Sequence, residues 1–422
     1  MENIKEKAEY CLNCKLKPCS QKGCPLHNNI PDFIHQIKEE NFYKAYEILS
    51  ETTVLPGICG RICPHQEQCQ GSCVRGIKGE PVSIGDMEAF VFDYVIKNGY
   101  SLKKCWKKEN QNKKQKTKKV AIIGGGPAGL TCAAFLARKD VKVTIYEKYN
   151  KLGGLLTHGI PEFRLSKEIV EKTISNILEL GIEVKYNSEI GKNIKLEELR
   201  EEYDAVILSI GANIPLKMGI KGENLTGVLY ANELLEHKSH PDYKEKTVFV
   251  IGGGNVAIDA ARTVKKLGAK EVKVIYRRSE EQMPASKKEV EEALNENVDF
   301  LYQTNILQII GKDKVEKAEL IKTELIKKEG EERLIPKNID NSNYTLEADY
   351  IIMALGSKPA EYVKGLGLEL NERGNIKINE NYQTSDSKIF AIGDLIGGKK
   401  TVAWAAYTGR KVAARVGDKW QP

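Results

Sequence analysis

No run in this chain is apolar enough, for long enough, to cross a bilayer. The most apolar stretch, residues 120–137, carries four glycines and a proline, so no membrane span is expected. The first residues, Met1-Glu-Asn-Ile-Lys-Glu-Lys7, are charged and lead into no apolar core, unlike a secretory signal. Without export the cysteines are not expected to form a disulfide framework, and the cytoplasm is the expected compartment. Aromatic residues make up 7% of the chain and are not interleaved with the lysines, which argues against a single-stranded nucleic-acid groove. Beyond residue 73 only Cys105 and Cys132 remain of the cysteines.

The other eight cysteines crowd into residues 11–73 as Cys11-x2-Cys14-x4-Cys19-x4-Cys24-Pro25 and Cys59-x3-Cys63-Pro64-x4-Cys69-x3-Cys73. A Cys-Pro closing a tight cysteine run is an iron–sulfur ligand pattern, because iron in a sulfide cluster prefers soft thiolates. The net charge of +7 resides largely in residues 103–119, read as a solvated linker between domains. The length suits two or three domains, and the 41% hydrophobic fraction is ordinary for a globular chain. In the cysteine region, Ile30-Pro31 opens an expected helix, with Phe33, Ile34, Ile37, Phe42, Ala45 and Ile48 mostly on one face. Residues 81–90 read as a second helix start.

At Val120 the texture changes to strand–turn–helix repeats. Val120–Ile123 leads into Gly124-Gly-Gly126-Pro127-Ala128-Gly129, and the next strand ends at Glu147. The unit recurs as Val248–Ile251, then Gly252-Gly-Gly254-Asn255-Val256-Ala257, with its second strand ending in Arg277-Arg278. Apolar strands also end at Gly211, Gly356 and Gly393-Asp394. This repetition specifies parallel sheets in an α/β fold.

Each glycine motif follows a strand and opens a helix, the setting in which it binds a dinucleotide. Glu147 accepts hydrogen bonds from ribose hydroxyls and repels a 2′-phosphate, whereas Arg277 and Arg278 suit that phosphate. The second site therefore reads as NADPH. The first reads as FAD, because Asp394 can bond a ribityl hydroxyl while the helix opening near Thr401 turns its positive end toward the flavin. Gly154, Leu155 and Arg164 are expected near the flavin ring. His158 and Glu162 are weaker candidates for tuning it.

These residues resemble the family of the glutamate synthase small (beta) subunit. That family shares its architecture with the large subunit of NADH-dependent ferredoxin:NADP oxidoreductase and the N-terminal half of dihydropyrimidine dehydrogenase. The resemblance spans essentially the whole chain. It rests on the eight cysteines, Cys59-Gly-Arg-Ile-Cys63-Pro64, Gly79-Glu-Pro-Val-Ser-Ile-Gly85, Gly153-Gly-Leu155, Gly159-Ile-Pro-Glu-Phe-Arg-Leu165, the arginine pair with Met283-Pro-Ala285, and Gly393-Asp394. It implies two 4Fe-4S clusters, one on Cys11, Cys14, Cys19 and Cys73, the other on Cys24, Cys63, Cys69 and Glu88. Cys59 is then spare, although the spacing alone would nominate it in place of Glu88. Cys19-x4-Cys24 is one residue longer than in many relatives.

The expected organisation is a helical domain with two 4Fe-4S clusters over 1–105 and a lysine-rich linker over 106–118. FAD would occupy 119–222 with 347–422, and NADPH 223–346. Neither nucleotide region carries a C-x2-C or C-x4-C pair, which disfavours a dithiol reductase mechanism, and Cys132 reads as a buried small hydrophobe. Electrons would run from NADPH to FAD to the clusters and on to a larger catalytic subunit, a flavin/iron–sulfur subunit or ferredoxin. Hydride transfer needs position rather than a side-chain acid, so no catalytic side chain is assigned. The alternatives are the large subunit of a ferredoxin-linked transhydrogenase, a free-standing NADPH:acceptor reductase and, remotely, a non-catalytic zinc or nucleic-acid binder.

Overall fold

The computed structural model describes residues 2–106, 118–236, 239–327 and 334–418, so most of the lysine-rich linker lies outside the described residues. The chain divides into two compact units. One comprises Met1–Thr157, Glu162–Ala212 and Pro359–Pro422; the other comprises His158–Pro161 and Asn213–Lys358. The sequence places the second nucleotide fold at 223–346. The second unit extends further at both ends, where the short strands Ile214–Pro215 and Ser357–Lys358 pair with each other.

After a first helix, Glu2–Glu9, the first unit carries helices α1 (Ile30–Lys38), α2 (Phe42–Ser50), α3 (Pro56–Ile62) and α4 (Ile84–Lys97). Pro31 sits in the first turn of α1, where its missing N–H costs nothing. The apolar face read across Phe33 to Ile48 is in fact two helices. Glu40 takes the left-handed conformation, and the Asn41 side chain accepts the Lys44 N–H at 3.4 Å to start α2. Ala45, Tyr46 and Leu49 are consequently the fully buried residues of α2, while Ile48 is half-buried. Met87, Val91, Phe92 and Val95 of α4 are wholly buried, each contributing roughly 1.5–3 kcal/mol. Glycines let α3 lie directly on α4: a Cβ at Gly60 would stand 2.6 Å from the Ala89 backbone nitrogen, and one at Gly57 would strike the Phe92 ring.

The same unit continues into a parallel sheet built from β1 (Lys119–Ile123), β2 (Lys142–Tyr146), β3 (Glu183–Lys185), β4 (Ala205–Leu208) and a late strand, Ile389–Ala391. Its order is late strand, β4, β1, β2, β3. Val120 lies opposite both Val143 and Ala205. Helix α5 (Pro127–Ala137) is buried on nearly every side, because the last helix of the chain, Val402–Asp418, packs along it. A Cβ at Gly409 of that helix would lie 2.2 Å from the Ala128 carbonyl oxygen. Cys132 is fully buried in α5, which pushes its thiol far up. Helix α6 (Lys167–Leu178) packs against α3, α5 and the short helix Leu102–Cys105.

In the second unit β5 (Val228–Tyr230), β6 (Thr247–Ile251), β7 (Glu271–Ile275) and β8 (Asp299–Leu301) form a second parallel sheet. An antiparallel sheet follows, with β9 (Thr304–Ile310), β10 (Lys317–Ile326), β11 (Ile335–Asn338) and β12 (Tyr344–Glu347). The chain then returns to the parallel sheet as β13 (Tyr350–Met353), between β5 and β6. Helices α7 (Asn255–Lys266) and α8 (Lys287–Asn295) pack together over a buried Arg262, which pairs with Glu289 at 2.5 Å, Glu292 at 2.7 Å and Glu296 at 2.9 Å. In chain order the helix Val402–Asp418 is α9, and the strand Ile389–Ala391 is β14.

Candidate functional site

Cys11, Cys14, Cys19 and Cys73 line one cavity together with Leu12, Ile30, Ile34 and Val74. The loop reaches this arrangement by turning left-handed at Asn13 and Lys17. The extra residue between Cys19 and Cys24 is absorbed in a wide turn, Cys19–Gly23, closed by the Cys24 N–H on the Cys19 carbonyl at 2.8 Å. Gly23 brings this turn against the other cysteine loop, since a Cβ there would stand 2.6 Å from the Gln68 carbonyl oxygen. Burial pushes the Cys11 thiol up and the Cys19 thiol to about 11.

Cys24, Cys63, Cys69 and Glu88 form a second group, with Cys59 hydrogen-bonded to Cys63. The glycine contacts between α3 and α4 are what bring the Cys59–Cys63 segment and Glu88 together. Glu88 is 5% exposed, and burial pushes its carboxyl up to about 8. Asn28 donates to its Oε1 at 3.3 Å, and the Thr52 hydroxyl, donating to Asn28 Oδ1 at 2.7 Å, fixes that amide's orientation. Burial also pushes Cys24 to about 12 and Cys69 well up, while the Cys59 contact and burial raise Cys63. Several anionic donors facing one another inside the protein are poorly compensated by the protein itself. This is the donor chemistry that fits an iron–sulfide cluster. Among the described residues no three His, Cys, Asp or Glu converge as a single ion would require; a four-iron cluster holds its thiolates farther apart.

Contacts that the sequence did not disclose join the helical segment to the first nucleotide fold. Arg410 of α9 donates from Nη2 to the Leu26 carbonyl at 2.8 Å and from Nη1 to the Thr52 carbonyl at 2.9 Å. Burial lowers its pKa, opposed by the charge of Cys24, which places the guanidinium beside the second group. His27 meets the Tyr407 ring edge-on at 6.3 Å. Asn176 of α6 donates to the Tyr46 hydroxyl and accepts the Leu102 N–H, both at 2.8 Å. Trp106, at the start of the expected linker, donates to Ser50 and lies under Arg138. None of these residues belongs to a recognisable motif; only a buried arginine or asparagine in three dimensions reveals them.

In the first glycine loop Gly124, Gly126 and Gly129 are glycine for three different reasons. Gly124 is left-handed, with a Cβ position 2.6 Å from the Ser209 carbonyl, and a Cβ at Gly129 would lie 2.1 Å from the Gly124 carbonyl. Gly126 has φ −76° and open space where a Cβ would go. Neither backbone conformation nor packing requires glycine there, so the space suits a group approaching the backbone, as a diphosphate does. Gly126 is the N-cap of α5 and supplies no side-chain cap; Pro127 occupies the first turn. Glu147 is buried at the end of β2, accepting the Gly125 N–H at 2.8 Å and the Tyr149 N–H at 3.0 Å. Gly154 approaches Gly126, and Gly393 approaches Ala128. Burial pushes the Asp394 carboxyl up, against the opposing charge of Lys400. Thr401 caps α9 by accepting the Trp404 N–H at 3.3 Å. Gly211 follows β4 in the left-handed region. Leu155 is exposed and Arg164 half-buried. Glu162 accepts the Lys167 N–H at 3.0 Å, starting α6, and His158 ends the one-turn helix Leu155–His158.

The second loop repeats the logic. Gly252 is left-handed against the Ala354 carbonyl, and Gly254, the N-cap of α7, again faces open space. At the third position Ala257 is fully buried, so its methyl is accommodated. The Met283-Pro-Ala285 segment is fastened to this loop: Ala285 N–H donates to the Gly253 carbonyl at 3.1 Å, and Ser286 N–H to Asn255 Oδ1 at 2.9 Å. Val256 is exposed at the helix mouth. Arg277 is exposed, whereas Arg278 donates from Nε to the Leu334 carbonyl at 3.2 Å. Gly356, just beyond β13, is left-handed.

Residues 118–409 match the pyridine nucleotide-disulphide oxidoreductase family, and residues 1–100 match the dihydropyrimidine dehydrogenase domain II, 4Fe-4S cluster family. The chain is 37% identical to the NADPH glutamate synthase small chain of Halomonas elongata, over 97% of this chain and 89% of that one. It is 36% identical to the Escherichia coli small chain over 97% and 90%. Its identity to the NAD-dependent dihydropyrimidine dehydrogenase subunit PreT of E. coli O157:H7 is 33%, over 98% and 93%. Among solved structures, Mycobacterium tuberculosis FprA in complex with NADPH shares the fold, with TM-score 0.65 and 21% identity over 72% of this chain and 85% of that chain. Among the described residues no helix is long and apolar enough to cross a membrane.

Proposed function

Because this chain belongs to the glutamate synthase small-chain family, within the pyridine nucleotide-disulphide oxidoreductases, we propose that it is the NADPH-linked electron-transfer subunit of a larger enzyme. FAD and two 4Fe-4S clusters would join NADPH to a larger partner subunit. When bound, these groups supply hydride transfer between nicotinamide and flavin and one-electron carriage beyond it.

The protein's part is to hold and orient. Gly252, Gly254, Asn255, Val256 and Ala257 seat the NADPH diphosphate at the start of α7, and Arg277 with Arg278 meets the 2′-phosphate. Gly124, Gly126, Pro127, Ala128 and Gly129 seat the FAD diphosphate, and Glu147 accepts from the ribose hydroxyls. Asp394 and Thr401 meet the ribityl and pyrimidine end, where the α9 dipole favours negative charge. Gly154, Leu155 and Arg164 border the flavin ring, and Gly211 and Gly356 let strand ends come close to a cofactor. FAD is assigned to the first nucleotide fold and NADPH to the second, whose compact unit spans Asn213–Lys358 where the sequence places 223–346. Cys11, Cys14, Cys19 and Cys73 hold one cluster. Cys24, Cys63, Cys69 and Glu88 hold the other, leaving Cys59 as the spare.

One observation carries this reading. Arg410 fastens the loop of Cys24 to α9, the helix that Thr401 caps and that follows the Asp394 turn in the chain. A thiolate–carboxylate donor set is thereby anchored to the element that opens on the flavin end of the first nucleotide site. Anaerobic affinity purification of the tagged protein from its own cells, with subunits identified by mass, tests the assignment. Co-purification of a large amidotransferase-type subunit is expected; a lone, coloured chain that NADPH still reduces would refute the subunit reading.

A further inference from the structure

The second group holds one donor too many. Cys24, Cys63, Cys69, Glu88 and Cys59 stand together, and a single cluster has room for four of them, so Cys59 and Glu88 compete for the last place. On chemistry alone the sulfur should win, because iron in a sulfide cluster prefers thiolate to carboxylate. Cys59 is also well placed: it is 2% exposed, lies one helical turn before Cys63 and is hydrogen-bonded to it.

The backbones do not make the choice. The Cys59 carbonyl accepts the Cys63 N–H at 3.2 Å and lies 3.0 Å from His65 Nε2, and Gly60 lets α3 press on the backbone of Ala89, next to Glu88. Both helices are therefore fixed, and selection falls to the side chains. Glu88 is held by a side chain that is itself held. Asn28, 2% exposed, donates from Nδ2 to Glu88 Oε1 at 3.3 Å. Its own Oδ1 accepts the Thr52 hydroxyl at 2.7 Å, so the amide cannot turn over without losing that bond. Thr52 is secured in turn by Arg410 of α9, which donates to its carbonyl at 2.9 Å. This series of bonds orients one carboxylate oxygen of Glu88 and leaves the other, Oε2, without a hydrogen bond among the described residues.

Resting on the reading of this group as a cluster site, we propose that Asn28 is the positioning residue that gives the fourth place to Glu88. Cys59 is the reserve ligand, which takes that place when Asn28 no longer holds the carboxylate. In the exchange an Fe–O bond to Glu88 breaks and an Fe–S bond to Cys59 forms. The thiol proton passes to the released carboxylate, and no electron moves.

The test compares the anaerobically purified full chain with its Asn28→Leu, Cys59→Ala and doubly substituted variants, by iron and sulfide analysis and Mössbauer spectra. The wild type and Cys59→Ala are expected to hold iron for two clusters and to show one iron site set apart by its oxygen ligand. Asn28→Leu should keep that iron and lose the distinct site. Asn28→Leu/Cys59→Ala should lose about half of its iron, a loss that a merely structural role for Asn28 would already produce in the single variant. Thr52→Val, which only frees the amide to turn over, should show the same pattern with and without Cys59→Ala, and it carries the test if Asn28→Leu does not fold. An oxygen-ligated site that is absent from the wild type, or that persists in Asn28→Leu, overturns the proposal. So does loss of half the iron from either single variant, or equal iron in Asn28→Leu and the double variant. A wild type with iron and sulfide for fewer than two clusters would instead bring down the cluster reading itself.

Discussion

At the scale of single residues, the sharpest claims concern glycines that the protein's own structure does not require. Gly126→Ala and Gly254→Ala each place a methyl in open space at an ordinary backbone angle. Apo-protein stability should therefore stay within about 0.5 kcal/mol, while affinity for FAD or NADPH, read by fluorescence titration, falls about tenfold or more. Gly129→Ala should do the opposite, costing about 1–3 kcal/mol of stability because its Cβ meets the Gly124 carbonyl at 2.1 Å. If Gly126→Ala leaves flavin affinity intact, the loop does not hold a diphosphate. Replacing Arg277 and Arg278 by alanine should raise KM for NADPH about tenfold and leave NADH use nearly unchanged; equal losses would remove the 2′-phosphate argument. Arg277→Ala is the cleaner single variant, since Arg278 also holds the Leu334 carbonyl. The glycine turns were legible in the sequence because a glycine spacing between a strand and a helix is a local pattern. Asn28, Asn176 and Arg410 were not legible, because their partners lie 60, 130 and 384 residues away.

At the scale of elements, two fastenings between helices bear the next predictions. Arg262 ties α7 to α8 with little access to solvent. Arg262→Ala, which strands the carboxylates around it, should destabilise the second unit by about 3–5 kcal/mol. Burial alone would raise Glu296, but hydrogen bonds from Arg262 and Lys266 outweigh it and hold the carboxyl low. A depressed carboxylate lends stability that is present above the unfolded glutamate pKa, about 4.3, and lost as pH falls through the folded value. Hydrogen exchange at the α7 and α8 amides should therefore quicken on acidification below that range in the wild type; a rate indifferent to pH there, after correction for intrinsic exchange, would count against this. Arg410→Ala should free the Leu26 and Thr52 carbonyls at a cost of about 1–3 kcal/mol. It should also lower the midpoint potential of one cluster in an EPR titration, with Arg410→Lys restoring part of the shift. No change in potential would mean that the guanidinium is only a tether. Element type was read well where periodicity was strong, as in the parallel strands and the helices at Ile30 and Ile84. The break at Asn41 escaped because the apolar pattern runs through it. The antiparallel strands β9–β12 escaped because burial does not alternate cleanly along β10, where Ala318, Leu320, Ile321 and Thr323 are all buried, and because a bulge falls between Ile306 and Gln308 of β9.

At the scale of the whole molecule, the cysteine-bearing helices and the first nucleotide fold form a single compact unit, although the sequence suggests a domain followed by a linker. Composition could not disclose this, because α9 returns from the far end of the chain to close on both α5 and the Cys24 loop. That return puts both cysteine groups and the first glycine loop in one packed body, as the proposed electron path requires. The most direct measurement is an anaerobic NADPH titration of the purified holoenzyme, followed by visible absorbance and low-temperature EPR alongside iron, sulfide and zinc analysis. The account expects iron and sulfide sufficient for two 4Fe-4S clusters, bleaching of the flavin band, and the EPR signal of a reduced cluster appearing with it. Zinc in place of iron, or a flavin that bleaches while no cluster signal appears at any NADPH level, would contradict it.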